Sequence, residues 1–257
     1  MNAQVRVERE GRMTVITLDR QESLNAINAA MEGALAAAFD AFEADPDQWV
    51  AILTGAGDCA FSSGVDLKQR IRSEAPARLA TGFGGLTRRF ERLKPIVAAV
   101  NGLALGGGFE MALACDLIIA SENATFALPE PRVGMVALAG GIQRLMGEIG
   151  PKRAMSMLLT GRHVSAAEGL ALGFVNAVVP EGATLAAAKE WALRMLECSP
   201  MSLRAIKEIA GHADEDLRAA MDLSRNLPAV KALMASKDSA EGPRAFVERR
   251  KPVWKNC

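Results

Sequence analysis

The amino-acid sequence predicts an α/β fold in which stacked, largely parallel strands are followed by a mainly helical tail. Three observations carry that expectation. Short apolar runs without polar alternation recur at Met13–Leu18, Val50–Thr54 and Ile96–Val100, as strands covered on both faces require. Segments with apolar residues at helical spacing lie between them, so strand, loop and helix alternate through the first two-thirds of the chain. Beyond about Gly140 the helical period dominates. The 257 residues suit one large α/β domain, or one domain with a helical extension, and can bury a substantial core.

Met13–Leu18 is a β-rich run that ends at Asp19-Arg20. Asn28–Phe42 is rich in alanine and sets Met31, Leu35, Phe39 and Phe42 on one helical face. Val50–Thr54 (VAILT) is a short strand running into a glycine-bearing stretch that ends at Gly64. Arg78–Leu93 reads as a helix stopped by Pro95, and Ile96–Val100 (IVAAV) as another buried strand. The glycine-rich loop NGLALGGG precedes a helical segment over Phe109–Ala114, and short strands follow at Asp116–Ala120 and Thr125–Leu128. Gln143–Ile149, Lys152–Leu159 and Ser165–Leu172 read as helices, the last opened by Ser165 and Glu168 as a capping box. One more strand, Val175–Val179, precedes several helices from Leu185 to the end, one of them started by Ser199 as N-cap and Pro200 in the first turn.

Composition narrows the chemistry. Thirty basic side chains balance 30 acidic ones, so no electrostatic footprint for nucleic acid exists at the level of net charge. No apolar run reaches membrane-spanning length free of charge or glycine. The N-terminus MNAQVRVERE lacks an apolar signal core, and a soluble cytoplasmic protein is expected. Tyrosine is absent, which removes any tyrosine acid. His163 and His212 are far in sequence from each other and from the glycine-rich segments, leaving little material for a histidine triad or a multi-histidine metal site. Cys59, Cys115, Cys198 and Cys257 show no CxxC pairing and read as reduced, mostly buried thiols.

Three glycine-bearing loops follow apolar strands. The first, Gly55-Ala56-Gly57-Asp58-Cys59-Ala60, matches the G-x-G-x-x-A dinucleotide turn. A dinucleotide-binding unit opens a helix there, whereas this chain continues into Phe61-Ser62-Ser63-Gly64 before any helical pattern. The second is FSSGVDL at 61–67 and the third NGLALGGGFE at 101–110. Each stands just before a helix, where backbone N–H groups lack partners inside the helix. Two such amides converging on one point make an oxyanion hole; each loop alone is equally an ordinary packing turn. Glu110 closes the third loop amid Phe109, Met111, Ala112 and Leu113, where an unpaired carboxylate is costly unless it is used or hydrogen-bonded. Glu130 follows in the proline-flanked ALPEPRVG. Two glutamates beside an oxyanion hole could hold a water and move protons, while a structural salt bridge is the competing reading of each.

These residues resemble a known family. FSSGVDL, NGLALGGGFEMALACDLIIAS, FALPEPRVGM and AGGIQRL, in that order, are similar to motifs of the crotonase, or enoyl-CoA hydratase/isomerase, superfamily, and to its two-glutamate hydratases in particular. The resemblance extends from LDRQESLNAIN to EGPRAFVERRKPVWK. It implies a spiral of ββα turns over 1–195 and a helical oligomerisation region over 196–257, assembling as a homotrimer or as a hexamer of two trimers. It also implies oxyanion amides at Val65 and Gly107, catalytic carboxylates at Glu110 and Glu130, and no cofactor, since coenzyme A belongs to the substrate. Ala26, Ser62, Asp66, Leu67 and Lys68 fall on positions along the CoA path. Phe246 and Arg249 fall on positions reaching CoA from the last helix, though Arg249, Arg250 and Lys251 could be a solvated face. The family often carries Pro-Gly where this chain has Ala137-Leu138, so Leu138 is expected to reshape the acyl end. The implied activity is reversible hydration of a 2-enoyl-CoA to a 3-hydroxyacyl-CoA, with Glu110 activating water and Glu130 supplying the α proton. Double-bond isomerisation, crotonobetainyl-CoA-type hydration, or acyl-CoA binding without turnover stand as alternatives.

Overall fold

The computed structural model describes residues 4–68, 79–213 and 215–253. Six strands, β1 (Val5–Glu10), β2 (Met13–Leu18), β3 (Val50–Gly55), β5 (Ile96–Val100), β7 (Leu117–Ser121) and β10 (Ala177–Val179), lie in that order in one sheet. A second sheet holds β4 (Ala60–Ser62), β6 (Leu103–Leu105), β8 (Thr125–Ala127) and β9 (Val164–Ser165), again in order. From β3 to β8 the chain therefore alternates between sheets, laying one strand on each per turn. That is the spiral the resemblance implies.

Apolar runs become central strands because both faces of the larger sheet are covered. All six residues of β2 and of β3 are buried. Parity assigns the faces. Ile16, Leu53, Ala98 and Ile118 align across four strands and join the main core. There they meet Met31, Leu35, Phe39 and Phe42 of α1 (Ala29–Ala44). Their neighbours Val15, Ile52 and Val97 align on the other face, against Ala188 and Ala192 of α6 (Thr184–Leu196). β1 pairs antiparallel at the edge, with Arg and Glu side chains exposed along it, as an edge strand needs to avoid further pairing.

Before α6 in chain order come α2 (Gly107–Leu113), α3 (Gly141–Ile149), α4 (Pro151–Thr160) and α5 (Ala166–Leu172). Ser165 caps α5 through the Glu168 N–H as expected, while the Glu168 carboxylate pairs with Arg162 rather than closing a full capping box. The tail is helical: α7 (Pro200–Ala213), α8 (Glu215–Asn226), α9 (Pro228–Ala235) and α10 (Lys237–Val247). Asp116 ties α7 to the core by pairing with Arg92 and Lys207. Met201, Ile206 and Ile209 of α7 remain exposed. No helix among the described residues is long and apolar enough to cross a membrane.

The structure corrects two expectations, the helix at 79–93 and the mostly buried thiols, and bears out the reading that the G-x-G-x-x-A stretch is no dinucleotide turn. Residues 79–93 are not an α-helix; turns and a short 3-10 segment, Phe83–Gly85, replace it. Gly82, Gly84 and Gly85 adopt φ values of +81°, +59° and +64°, and the bend brings Gly85 so near α1 that a β-carbon would lie 2.5 Å from Ala36 Cα. The G-x-G-x-x-A stretch leads from β3 straight into β4, with no helix for a dinucleotide phosphate. Cys59 and Cys198 are exposed and Cys115 half-buried, because the first lies in the turn between β3 and β4 and the second beyond the end of α6.

Gly108 joins α2 to the second sheet. A β-carbon there would lie 2.3 Å from Ser62 O and 2.9 Å from its carbonyl carbon, and backbone atoms cannot yield cheaply. Gly108→Ala is expected to cost about 1–3 kcal/mol, measurable as a lower urea midpoint at unchanged m-value.

Candidate active site

β4, β6 and β8 are adjacent and parallel, so their carboxyl ends open side by side, where ligands of parallel sheets bind. The chain leaves β4 through Gly64 and Val65. It leaves β6 through Gly106 and Gly107 into α2, and β8 through Pro129 into a 3-10 turn, Glu130–Val133. Strand order alone thus gathers the second and third glycine loops and one glutamate.

The Val65 amide is aimed by its neighbours. Ile27 N–H donates to Gly64 O (2.7 Å) and Asp66 N–H donates to Ile27 O (2.9 Å). In such a parallel bridge the intervening Val65 N–H faces the opposite side. Gly107 is the first residue of α2, where an amide has no partner within the helix. The loops touch: a β-carbon on Gly64, at φ +88°, would lie 2.9 Å from Gly107 N. Val65 and Gly107 both line the cleft described below.

Glu110 stands one turn into α2 and is 4% exposed. Its Oε1 accepts from Ala139 N–H (2.8 Å) and Gly141 N–H (2.9 Å). Gly141 has to be glycine, since a β-carbon would lie 2.8 Å from Glu110 Cγ. Burial raises the carboxyl well above the ordinary glutamate range, against the pull of the two amides and the Arg144 charge. Glu130 is 8% exposed, with its Oε2 buried and without a partner. A β-carbon on Gly106 would lie 3.0 Å from Glu130 Oε1, so this carboxylate adjoins the Gly107 loop. Burial and the nearby Glu110 charge both raise it, opposed by its own backbone N–H. Glu110 is better equipped to hold negative charge, and Glu130 to keep a proton.

A cleft of about 1320 Å³ is lined by Val65, Gly107, Glu130 and Met135, among others. Its walls also carry Arg20, Lys68, Arg132 and Arg249, cationic groups suited to phosphate.

The comparisons fit this architecture. A family model described as enoyl-CoA hydratase/isomerase matches residues 8–257. The chain belongs to the enoyl-CoA hydratase/isomerase family. It is 42% identical, over 99% of both chains, to a protein named carnitinyl-CoA dehydratase from Salmonella enteritidis PT4. A crystal structure of carnitinyl-CoA hydratase from Mycobacterium avium superposes with a TM-score of 0.92 at 39% identity, covering 100% of each chain. One of enoyl-CoA hydratase from Mycobacterium tuberculosis H37Rv gives a TM-score of 0.78 at 38% identity, covering 99% of each.

Of the positions suggested by resemblance to this family, Ala26, Val65, Asp66, Leu67, Lys68, Gly107, Glu130, Phe246 and Arg249 line the cleft. Glu110 lies behind the wall. Ser62 does not face the cleft: its Oγ donates to Asn25 O and accepts from Gly64 N–H, bracing the loop, and Ser63 takes the wall position. Ala26 N–H donates to Ser23 O and Ala26 O accepts from Arg20, so its backbone is already engaged within its own loop. Leu138 is half-buried, off the cleft lining, and directly precedes the amide of Ala139 that holds Glu110.

Sequence reasoning missed Arg20, which donates to Asp66 at 3.1 Å and staples two wall loops together. It also set aside His163 as remote, whereas antiparallel pairing of β9 with β8 brings it to the cleft beside Arg132. Arg20 was visible in LDRQ, but only tertiary pairing could place His163.

The raised Glu130 gives a stability test with a definite sign. A carboxyl whose folded-state pKa exceeds its unfolded value of 4.5 contributes stability that is fully present below that value and lost as pH rises above it. Glu130→Gln is therefore expected to gain thermal stability over wild type at about pH 8 and to gain little at about pH 4.5. A Tm difference independent of pH would contradict the buried, proton-retaining environment.

Proposed function

We propose that the protein is a hydro-lyase that interconverts a 3-hydroxyacyl-CoA and a 2-enoyl-CoA, with carnitinyl-CoA and crotonobetainyl-CoA as the pair it acts on. The buried Glu110 and Glu130 beside two converging amides support the reaction class. Family membership supports the acyl-CoA thioester, and the relatives named carnitinyl-CoA dehydratase and hydratase support this pair over generic 2-enoyl-CoA hydration.

The thioester oxygen lies between the Val65 and Gly107 amides, which stabilise the enolate formed in either direction. In dehydration, Glu130 as carboxylate removes the α proton and Glu110 as acid delivers a proton to the departing β-hydroxyl. In hydration, Glu110 takes a proton from water as its oxygen bonds to the β carbon, and Glu130 gives a proton to the α carbon. One proton is exchanged at each carboxyl and none is lost, so the pair titrates as a unit. The cationic cleft walls receive the CoA phosphates.

The test is turnover of crotonobetainyl-CoA against crotonyl-CoA, followed by loss of enoyl-thioester absorbance. The expected result is a higher kcat/KM on crotonobetainyl-CoA, with Glu110→Gln and Glu130→Gln each losing at least about 10²-fold in kcat. KM should change little, because the thioester contacts are backbone amides. Preference for crotonyl-CoA would return the protein to general enoyl-CoA hydration, and near-full activity in either variant would defeat the two-carboxylate chemistry.

We also infer that the exposed apolar face of α7 is where copies of the chain meet in a trimer. Light scattering at micromolar concentration is expected to give three times the 27.3 kDa chain mass, or six times for paired trimers. A monomer overturns this.

A further inference from the structure

Behind Glu110 lies a side chain outside the cleft lining. Arg144, on α3, donates from Nη1 to Ala139 O (3.2 Å) and from Nη2 to Thr87 O (2.8 Å). Its guanidinium packs over Gly140, where a β-carbon would clash with Nη1, and lies 5.8 Å from the Phe90 ring centroid. It thus ties the turn over 139–141, the source of both Glu110 amides, to the irregular segment at 87–90.

We propose that Arg144 is a positioning residue for the reaction: by bridging Ala139 O and Thr87 O it fixes the turn that holds Glu110 and sets a cation behind that carboxylate. The proposal rests on the two-glutamate reading above. A planar fork suits this role, because two carbonyls pointing from different segments are held by one rigid group that cannot lose its charge. Two of its N–H groups are held by these carbonyls, and its positive charge acts on the Glu110 carboxyl.

Other charges around it do not duplicate that field. The Cys115 thiol, beyond the end of α2, also feels Arg144, but burial pushes it up to about 12 and it stays neutral. Glu148, on the same helix as Arg144, also feels the guanidinium. Arg218 shares the Phe90 ring but pairs with Glu91, and Arg88 pairs with Asp222 of α8. Glu130 sees Glu110 as its nearest charged influence. Arg144 therefore adds to the two amides that set Glu110 apart from Glu130: Glu110 ionises first and serves as water's base, while Glu130 keeps the proton.

The experiment combines kinetics with a substrate-free titration. Carboxyl carbons of ¹³C-labelled glutamate are followed by NMR in the full-length protein, with Glu110 assigned by its loss in Glu110→Gln. In Arg144→Met the Glu110 midpoint is expected to rise by about one pH unit, the acidic limb of kcat/KM to move with it, and kcat to fall about 10-fold or more. KM should stay within about twofold, since no CoA contact is altered. Arg144→Lys keeps the charge without the fork, so the midpoint is expected near wild type and kcat reduced. An unmoved midpoint and wild-type kcat in Arg144→Met overturn the proposal. If Arg144→Met fails to fold, wild-type kcat in Arg144→Lys overturns it instead. A wild-type enzyme inert on every enoyl thioester defeats the functional reading separately, and the titration still reads Arg144.

Discussion

The site depends on the side-by-side parallel pairing of β4, β6 and β8. Each strand is only three residues long, too short to be held in place by its own ladder. Backbone contacts supply the rest. Gly108 rests on Ser62 O, Gly64 on Leu105 O and Gly107 N, and Gly102 on Cys59 O, each within a distance that a β-carbon could not share. Asn25, itself buried at φ +53°, donates to Ala56 O and Ala60 O and closes the loop before the second sheet. The glycines mark where main chain meets main chain, and those meeting points set the direction of the Val65 and Gly107 amides.

Upon that frame the electrostatics is asymmetric by construction. Two neighbouring buried carboxyls repel, so the pair releases its protons in separated steps. Which glutamate ionises first is decided by donors. Glu110 has two amides on one oxygen and a cation behind the turn; Glu130 has its own amide and an oxygen with no partner. A reaction that needs one base and one acid at the same moment is served by that inequality.

Much of this was legible in the sequence, and the boundary of legibility has physical causes. The buried strands could be read because both faces are apolar, and α1 because Met31, Leu35, Phe39 and Phe42 keep the helical period. Glu110 could be singled out because a carboxylate among Phe109, Met111 and Leu113 is costly unless it is used or hydrogen-bonded. Residues 79–93 could not, because their apolar spacing imitates a helix while three glycines at positive φ carry the true path. β4, β6 and β9, of three, three and two residues, offer no period to detect. The exchange of Ser62 for Ser63 at the cleft wall is a matter of strand parity, which a bulge between Ala60 and Ser62 displaces. Arg144 carries no signal in the sequence, since its contacts are carbonyls of two segments far apart in the chain.

The tail also enters the chemistry, from behind. Met221 of α8 is buried against Gly140, at the back of the turn that holds Glu110, and Gln143 of α3 donates to Ser224 of α8. Gly242 of α10 sits where a β-carbon would be 2.1 Å from Val133 O, so the helix rests directly on the turn carrying Glu130. α10 then ends in a Schellman arrangement, with Arg249 N–H donating to Phe246 O and Arg250 N–H to Ala245 O. The left-handed position of that motif favours glycine, yet Arg249 occupies it at φ +54° and lines the cleft beside Phe246. Accepting that local strain turns the chain after the last helix along the cleft wall. Each glutamate thus has the spiral in front and a tail helix behind, α8 at the turn that holds Glu110 and α10 at the turn that carries Glu130.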